Sequence, residues 1–418
     1  MIGGFAVPDA PVTTTLGSVC RDGGGSIQTG PFGSQLHASD YVAEGVPVVM
    51  PTNIGVRRIN ADGIARVDES TAERLSRYGL QVGDIVYSRR GDVEKCALVR
   101  GAEEGWLCGT GCLRVRLGSQ ATVSPEFAAY YLSHPVVRDW VVRHAVGATM
   151  PNLNTKILSD LPVAAPSRDE QARVVSILGA LDAKIDHDYS LARRLNALAS
   201  LLYDRTVAAS RGGRTVRVGD VAEVNALKHS IRSHPERISY IDISSVRPRE
   251  ISQVTDLAYE EAPSRARRVV RAGDTLVSTV RPERRSFAFI ARGMDGLTAS
   301  TGFAVVSPTG ATATYLYRAV TSDACINFLS AAASGSAYPA VNPDILVDWK
   351  FVLPADGGAA YEAVARPLED LRWAQLNEAE HLADLRDLLI PNLISAHMGV
   401  AETYERFGDG ARSDVAIP

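Results

Sequence analysis

Lysine is nearly missing from this chain: of 44 basic residues only Lys95, Lys156, Lys184, Lys228 and Lys350 are lysines, so almost all positive charge is guanidinium. Arginine stays charged and forks onto phosphates and the guanine edge, a geometry an ammonium does not match. Aromatic residues are scarce too, at 6%, which leaves an aliphatic core and little material for stacking platforms. The five cysteines, Cys20, Cys96, Cys108, Cys112 and Cys325, are too few and odd in number for a disulfide framework. Cys108 and Cys112 have no second Cys or His pair at a spacing that completes four zinc ligands. No run approaches the ~20 apolar residues of a membrane span, and the opening MIGGFAVPDAP lacks a basic stretch. A cytoplasmic protein without membrane contact is expected.

Catalytic motifs are missing as well. There is no P-loop and no Asn-Pro-Pro-aromatic run for a flipped base; Asn342-Pro343-Asp344 comes nearest. Gly23-Gly24-Gly25 has no helix pattern after it, and Asp84, Asp92, Glu94 and Lys95 do not have the acid-x-Lys order of a metal nuclease. With no complete constellation, the chain is expected to be no enzyme, to bind no metal and to hold no cofactor of its own.

What is present is charge sorted by segment. The net charge is −4, which on its face counts against nucleic-acid binding. Yet arginines cluster at Arg57-Arg58, at Arg89-Arg90, at Arg265 with Arg267 and Arg268, and at Arg281 with Arg284 and Arg285. A GC-rich genome would explain the ratio of arginine to lysine but not this clustering.

The sequence also says everything twice. Val82-Gly83-Asp84-Ile85-Val86-Tyr87-Ser88 recurs as Ala272-Gly273-Asp274-Thr275-Leu276-Val277-Ser278, an offset of 190. Thr110-Gly111 recurs as Thr301-Gly302, and Gly147-Ala-Thr-Met-Pro-Asn-Leu-Asn154 as Gly335-Ser-Ala-Tyr-Pro-Ala-Val-Asn342. Each half closes with an apolar strand ending in proline, at Pro166 and Pro354. The period then changes from two to about 3.5, the mark of a long helix. Ser167 and Glu170 have capping-box spacing at the start of the first helix, expected to end near Ser210 at Arg211-Gly212-Gly213-Arg214. Roughly 40 residues at 1.5 Å each make about 60 Å. Its seam reads Val174, Leu178, Leu181, Ile185, Asp188, Ala192, Leu195, Ala199 and Leu202. A shift of 190 predicts the second seam at Val364, Leu368, Leu371, Gln375, Glu378, Leu382, Leu385, Leu389 and Asn392, on a helix from Ala359 to Pro391 whose start Pro367 delays. Asp188 and Glu378 would be matching polar interruptions. The two helices pair antiparallel, or part of each seam docks on another subunit.

The residues then resemble a known family. Ile27-Gln-Thr-Gly30-Pro31-Phe32-Gly33-Ser34, then Asp40-Tyr41, Gly45-Val-Pro47 and Asn53-Ile54-Gly55, are similar to the opening of a type I restriction-modification specificity subunit. Gly83-Asp-Ile-Val-Tyr-Ser-Arg-Arg-Gly91 resembles the middle of that family's target-recognition domains. Leu158-Ser-Asp-Leu-Pro162, then Asp169-Glu170-Gln171, resembles the junction into its conserved helices. The second half lacks a Thr-Gly-Pro-Phe-Gly run and has Gly357-Gly358-Ala-Ala-Tyr361-Glu362 in place of the Glu-Gln motif.

The resemblance implies an α+β chain with a pseudo-twofold internal repeat: target-recognition domains at residues 1–166 and 212–355, long helices at 167–211 and 356–400 forming an antiparallel coiled coil, and a flexible tail at 401–418. It implies as partners double-stranded DNA with a bipartite site, two modification (methyltransferase) subunits that hold S-adenosylmethionine, and restriction subunits. DNA contacts are expected at Thr29, Phe32, Ser34, Asn53, Arg57, Arg89, Arg90, Thr149 and Asn152 in the first domain. In the second they are expected at Arg247, Arg281, Arg284, Arg285, Ser336, Tyr338 and Asn342. Helix pairing or subunit docking is expected at Glu170, Gln171, Leu178, Leu181, Ile185, Leu195, Leu368, Leu371, Leu382 and Leu385. The alternatives are a coiled-coil scaffold that binds protein, and the recognition subunit of another DNA-modification defence complex.

Overall fold

The computed structural model describes residues 12–147, 150–230, 234–293, 295–335 and 339–395. The chain forms two compact units: unit 1 comprises residues 1–184 with 381–418, and unit 2 comprises 185–380. Each unit therefore contains part of both long helices, Arg168–Ala209 and Ala359–Ser395.

In unit 1, Val12–Thr15 pairs antiparallel with Pro162–Ala165. Thr15 then caps the helix Leu16–Asp22, its Oγ1 accepting the Ser18 N–H at 3.2 Å. An antiparallel sheet follows in the order Ser26–Thr29, Cys112–Arg116, Ile85–Ser88 and Cys96–Leu98. The second sheet runs Tyr41–Val42, Ala65–Val67, Val46–Val49 and Leu107–Cys108, the last pair parallel. Ile85–Ser88 is buried along its whole length, which explains why it reads as an apolar run rather than as alternation. Helices Pro125–Leu132, Pro135–His144 and Thr155–Asp160 then lead to the closing strand and the first long helix.

Unit 2 repeats this order. Arg214–Arg217 pairs with Lys350–Leu353, and one sheet runs Ala222–Val224, Phe303–Pro308, Thr275–Ser278 and Phe287–Phe289. The other runs Thr255–Ala258, Arg237–Ile241, Leu297–Ser300 and Ala266–Val269, again with one parallel pair, here at the centre rather than at the edge. Helices Ala313–Val320, Asp323–Ala332 and Pro343–Val347 complete the set. The units differ at the edges: unit 2 has a hairpin of Val246–Arg247 with Glu250–Ile251, and its outer strand Ala266–Val269 has only the bridge Gly79↔Leu107 as counterpart.

The first long helix starts as its capping box requires, with the Ser167 N–H donating to Glu170 Oε2 at 3.0 Å and the Glu170 N–H to Ser167 Oγ at 3.4 Å. The second begins at Ala359, where Asp356 Oδ2 accepts the Ala360 N–H at 2.8 Å. Neither proline acts as the sequence suggested: Pro367 lies inside this helix and Pro391 does not end it. At Pro391, packing of the neighbouring Ile390 and Ile394 in the unit 1 core outweighs the ~3 kcal/mol that an interior proline costs.

The first seam is where the period placed it, with Val174 and Leu178 buried in unit 1, Ile185, Asp188, Ala192, Leu195 and Ala199 buried in unit 2, and Leu181 half-buried. The second is one residue further on. Its buried positions are Tyr361, Ala365, Glu369, Arg372 and Ala379 in unit 2, then Arg386, Ile390 and Ile394 in unit 1. Leu371 and Leu385 are each 43% exposed, Glu378 is exposed, and Leu368 and Leu382 are half-buried. In unit 1 the pairing is antiparallel, since Asp182 meets Arg386 while the earlier Val174 shares a core with the later Ile390 and Ile394. In unit 2 the Tyr361 hydroxyl donates to Ala199 O at 2.9 Å.

Candidate nucleic-acid interface

In unit 1 the central strand Ile85–Ser88 runs out into Arg89-Arg90-Gly91, a turn fixed entirely by backbone and serine bonds. The Arg89 N–H donates to Gly111 O at 2.8 Å, and Ser88 Oγ donates to Arg90 O at 2.9 Å. From the loop before the helix Thr155–Asp160, the Leu153 N–H donates to Arg89 O at 2.8 Å. Gly91 returns a bond to Pro151 O at 3.2 Å, and Arg90 bridges Asn152. A third segment joins from the strand Ser26–Thr29, because the Arg89 guanidinium lies 5.7 Å from the centroid of the Phe32 ring. Thr29, Phe32, Arg89, Arg90 and Asn152 therefore meet at one end of the sheet, with exposed Ser34 on the Phe32 loop.

Unit 2 repeats the backbone with other side chains. The Thr279 N–H donates to Gly302 O at 2.9 Å, the Val341 N–H to Thr279 O at 2.9 Å, and the Arg281 N–H to Pro339 O at 2.7 Å. Val280 bridges Ala340, and Ser278 Oγ donates to Val280 O at 2.7 Å. Thr279-Val280-Arg281 is thus the counterpart of Arg89-Arg90-Gly91. Gly91 has φ 75°, free for glycine, whereas Arg281 at φ 50° and Arg285 at φ 58° carry side chains into the left-handed region. Arg284 between them is exposed, and Arg285 pairs with Asp323 at 2.5 Å. Arg247 is exposed on the hairpin.

Other expected contacts lie elsewhere. Asn53 is buried, with its Oδ1 accepting the Met50 N–H at 3.0 Å and its Nδ2 donating to Asn60 O at 3.1 Å, so it builds a turn. Arg57 is only 4% exposed; it pairs with Asp387 at 3.3 Å and lies over the Tyr130 ring. Burial and the neighbouring Arg386 hold its pKa below the usual arginine value. Its counterpart Arg249, also at positive φ, lies over Tyr317. Asn342 caps the helix Pro343–Val347 through the Asp344 N–H. Thr149, Ser336 and Tyr338 lie outside the described residues, as does the expected tail. Gln171 is turned into its own unit: it is 1% exposed, donates to Thr122 O and Pro166 O, and accepts the Ser124 N–H. In unit 2 Glu362 takes this place, accepting the Thr314 N–H at 2.8 Å, so the missing Glu-Gln motif is replaced in function.

Each unit also holds a buried ionic cluster that ties it to its helices. In unit 1 Asp182 accepts from the Tyr130 hydroxyl and from Arg386, both at 2.6 Å. In unit 2 Glu369, 1% exposed, accepts from Arg372 at 2.8 Å and from Arg318. Burial alone would raise both carboxyl pKa values, but these partners hold them below the usual range.

The five thiols are buried, which raises Cys20 and Cys108 to about 12 and Cys96 to about 11, far from nucleophile chemistry at neutral pH. Among the described residues no group of three His, Cys, Asp or Glu could hold a metal ion, and no helix is long and apolar enough to cross a membrane. Composition gave no sign of the exposed Val146 and Met150 beside the unit 1 turn, although Met150 stands in the repeated loop.

Residues 46–192 match the family model described as Type I restriction modification DNA specificity domain. The putative type I restriction enzyme MjaX specificity subunit of Methanocaldococcus jannaschii is 23% identical over 189 residues, 43% of this chain and 44% of that relative's length. The match thus spans less than half of the relative. Among solved structures, the type I restriction-modification system S subunit from M. genitalium shares the fold, with TM-score 0.57 and 14% identity over 93% of this chain and 98% of that one.

Proposed function

We propose, for a chain related to the type I restriction-modification specificity subunits, that it is the non-catalytic reader of a bipartite DNA site, each unit binding one half-site. One observation carries this reading: both units build the same backbone turn at the end of the same strand, and both present arginine there. A chain that repeats one fold around different side chains is suited to two short, unlike sequences separated by a gap. Exposed Ser34, Arg90 and Arg284 reach phosphates, and the side chains around them choose bases.

The methyl donor, S-adenosylmethionine, then belongs to methyltransferase subunits that dock on the helices. Apolar side chains left in water favour this docking: Ile177, Leu385 and Leu388 in unit 1, and Leu198, Leu201, Val364 and Leu371 in unit 2. Restriction subunits would join through those partners, in the cytoplasm.

The test is selection of duplexes from a randomised pool by the full chain, followed by methylome sequencing of a host that carries it with its partner. Enrichment of a two-part motif with a fixed gap is expected. Inserting residues between Ile185 and Leu198 should change the gap and leave both half-sites intact. A single uninterrupted motif, or none, would refute the reading.

A further inference from the structure

We infer that Phe32, with Val146 and Met150 beside it, forms an apolar wedge that enters the base stack of the unit 1 half-site, while Arg90 holds the flanking phosphate. This rests on the DNA-reading function and says how one half-site is engaged. Phe32 is 53% exposed in a chain poor in aromatics; the next most exposed described phenylalanine, Phe328, reaches only 37%.

It is not loose. Its N–H donates to Gln35 Oε1 at 3.2 Å, and its carbonyl accepts from the Gln35 and Leu36 N–H groups at 2.8 and 3.2 Å. Gly30 lies so close to the next strand that a Cβ would meet Gly109 O at 2.0 Å, so the loop cannot relax inward. Arg89 lies over the ring. The backbone bridges from Arg89, Arg90 and Gly91 to residues 151–153 bring the loop of Val146 and Met150, each 64% exposed, to the same place.

A rigid, exposed aromatic with two apolar neighbours and an arginine collar fits a base step, since DNA offers flat apolar faces only inside its stack and negative charge around it. A protein groove would not need the collar. Unit 2 has no Thr-Gly-Pro-Phe-Gly loop and has Ser334 and Tyr338 at the positions of Val146 and Met150, so the phenylalanine wedge belongs to the unit 1 half-site.

The test uses the full chain and its selected duplex, with 2-aminopurine placed in turn at each step of the two half-sites. Fluorescence should rise at one step of the unit 1 half-site. Phe32→Ala should abolish that rise and weaken binding by about tenfold, whereas Phe32→Trp should keep both. Because the side chain is exposed, an unchanged melting temperature shows that Phe32→Ala still folds. Binding by the wild type with no bright step, or Phe32→Ala identical to it, would overturn the wedge and leave the reader function standing. Loss of methyltransferase co-purification with DNA binding unchanged would also overturn it, by making Phe32 a protein contact. Failure of the wild type to select any duplex would remove the reader function itself.

Discussion

After its central strand unit 1 turns on Arg89-Arg90-Gly91, and unit 2 turns on Thr279-Val280-Arg281, yet the main-chain hydrogen bonds that hold the two turns correspond one to one. The glycine of one is an arginine in left-handed backbone in the other. The lesson is that these turns are built mainly by main-chain groups and one serine, to which unit 2 adds the Thr279 hydroxyl on Gly302 O, and this frees most other side chains to differ. Where side chains do the building, as in the buried ionic clusters, the units had to find different solutions. Unit 1 uses Asp182 with Tyr130 and Arg386, and unit 2 uses Glu369 with Arg318 and Arg372.

The largest effect expected from that difference is on stability. Glu369→Ala leaves Arg318 and Arg372 buried without their carboxylate, a loss of about 3–5 kcal/mol. Asp182→Ala should cost roughly half as much, because Arg58 is 31% exposed and Asp387, the other partner of Arg386, is 54% exposed. Urea unfolding followed by hydrogen exchange separates the units; equal losses would break the comparison. Both carboxyl pKa values lie below normal in the folded chain. Their contribution is therefore present above the ordinary carboxyl range and is lost as pH falls through the lowered values.

A smaller effect separates the turns on DNA. If each contacted phosphate contributes about 0.9 to the salt slope, replacing the exposed Arg284 and Arg247 of unit 2 by alanine should flatten the slope by about 1.8. Replacing Arg89 and Arg90 should flatten it by only about 0.9, since Arg89 is engaged with Phe32. Fluorescence polarisation across a salt series reads this directly, and equal slopes would show that Arg89 binds phosphate.

The smallest contrast concerns the repeated Gly-Asp turns. Asp84 is paired with Arg116 at 2.6 Å, whereas at Asp274 burial outweighs its bonds to Ser307 and Arg271 and raises the carboxyl pKa. A raised acid opposes folding once ionised. Asp274→Asn should thus have no benefit below the usual aspartate range and should stabilise unit 2 by up to about 1 kcal/mol as pH rises through the raised value. Asp84→Asn should destabilise unit 1. Thermal melts at pH 4 and pH 8 test the sign.

The repeat was legible because glycine, proline and buried strands fix its landmarks, and Ser88 and Ser278 do form the same bond. The second helix was read one residue out of phase for a physical reason. Its inner face carries Glu369, Arg372 and Arg386, so the apolar period settled on exposed Leu371 and Leu385 instead. Arg57 looked like a surface arginine because nothing local reveals that its carboxylate partner, Asp387, lies 330 residues away in sequence. Asn53 had the right residue type for DNA but serves its own turn.

Ile390 and Ile394 sit in the core of unit 1, more than 200 positions after the end of its globular part. A ribosome therefore finishes every residue of unit 2 before it supplies the last pieces of unit 1. The domain synthesised first is completed last, and a nascent chain halted at residue 380 leaves Val174 and Leu178 without their covering side chains.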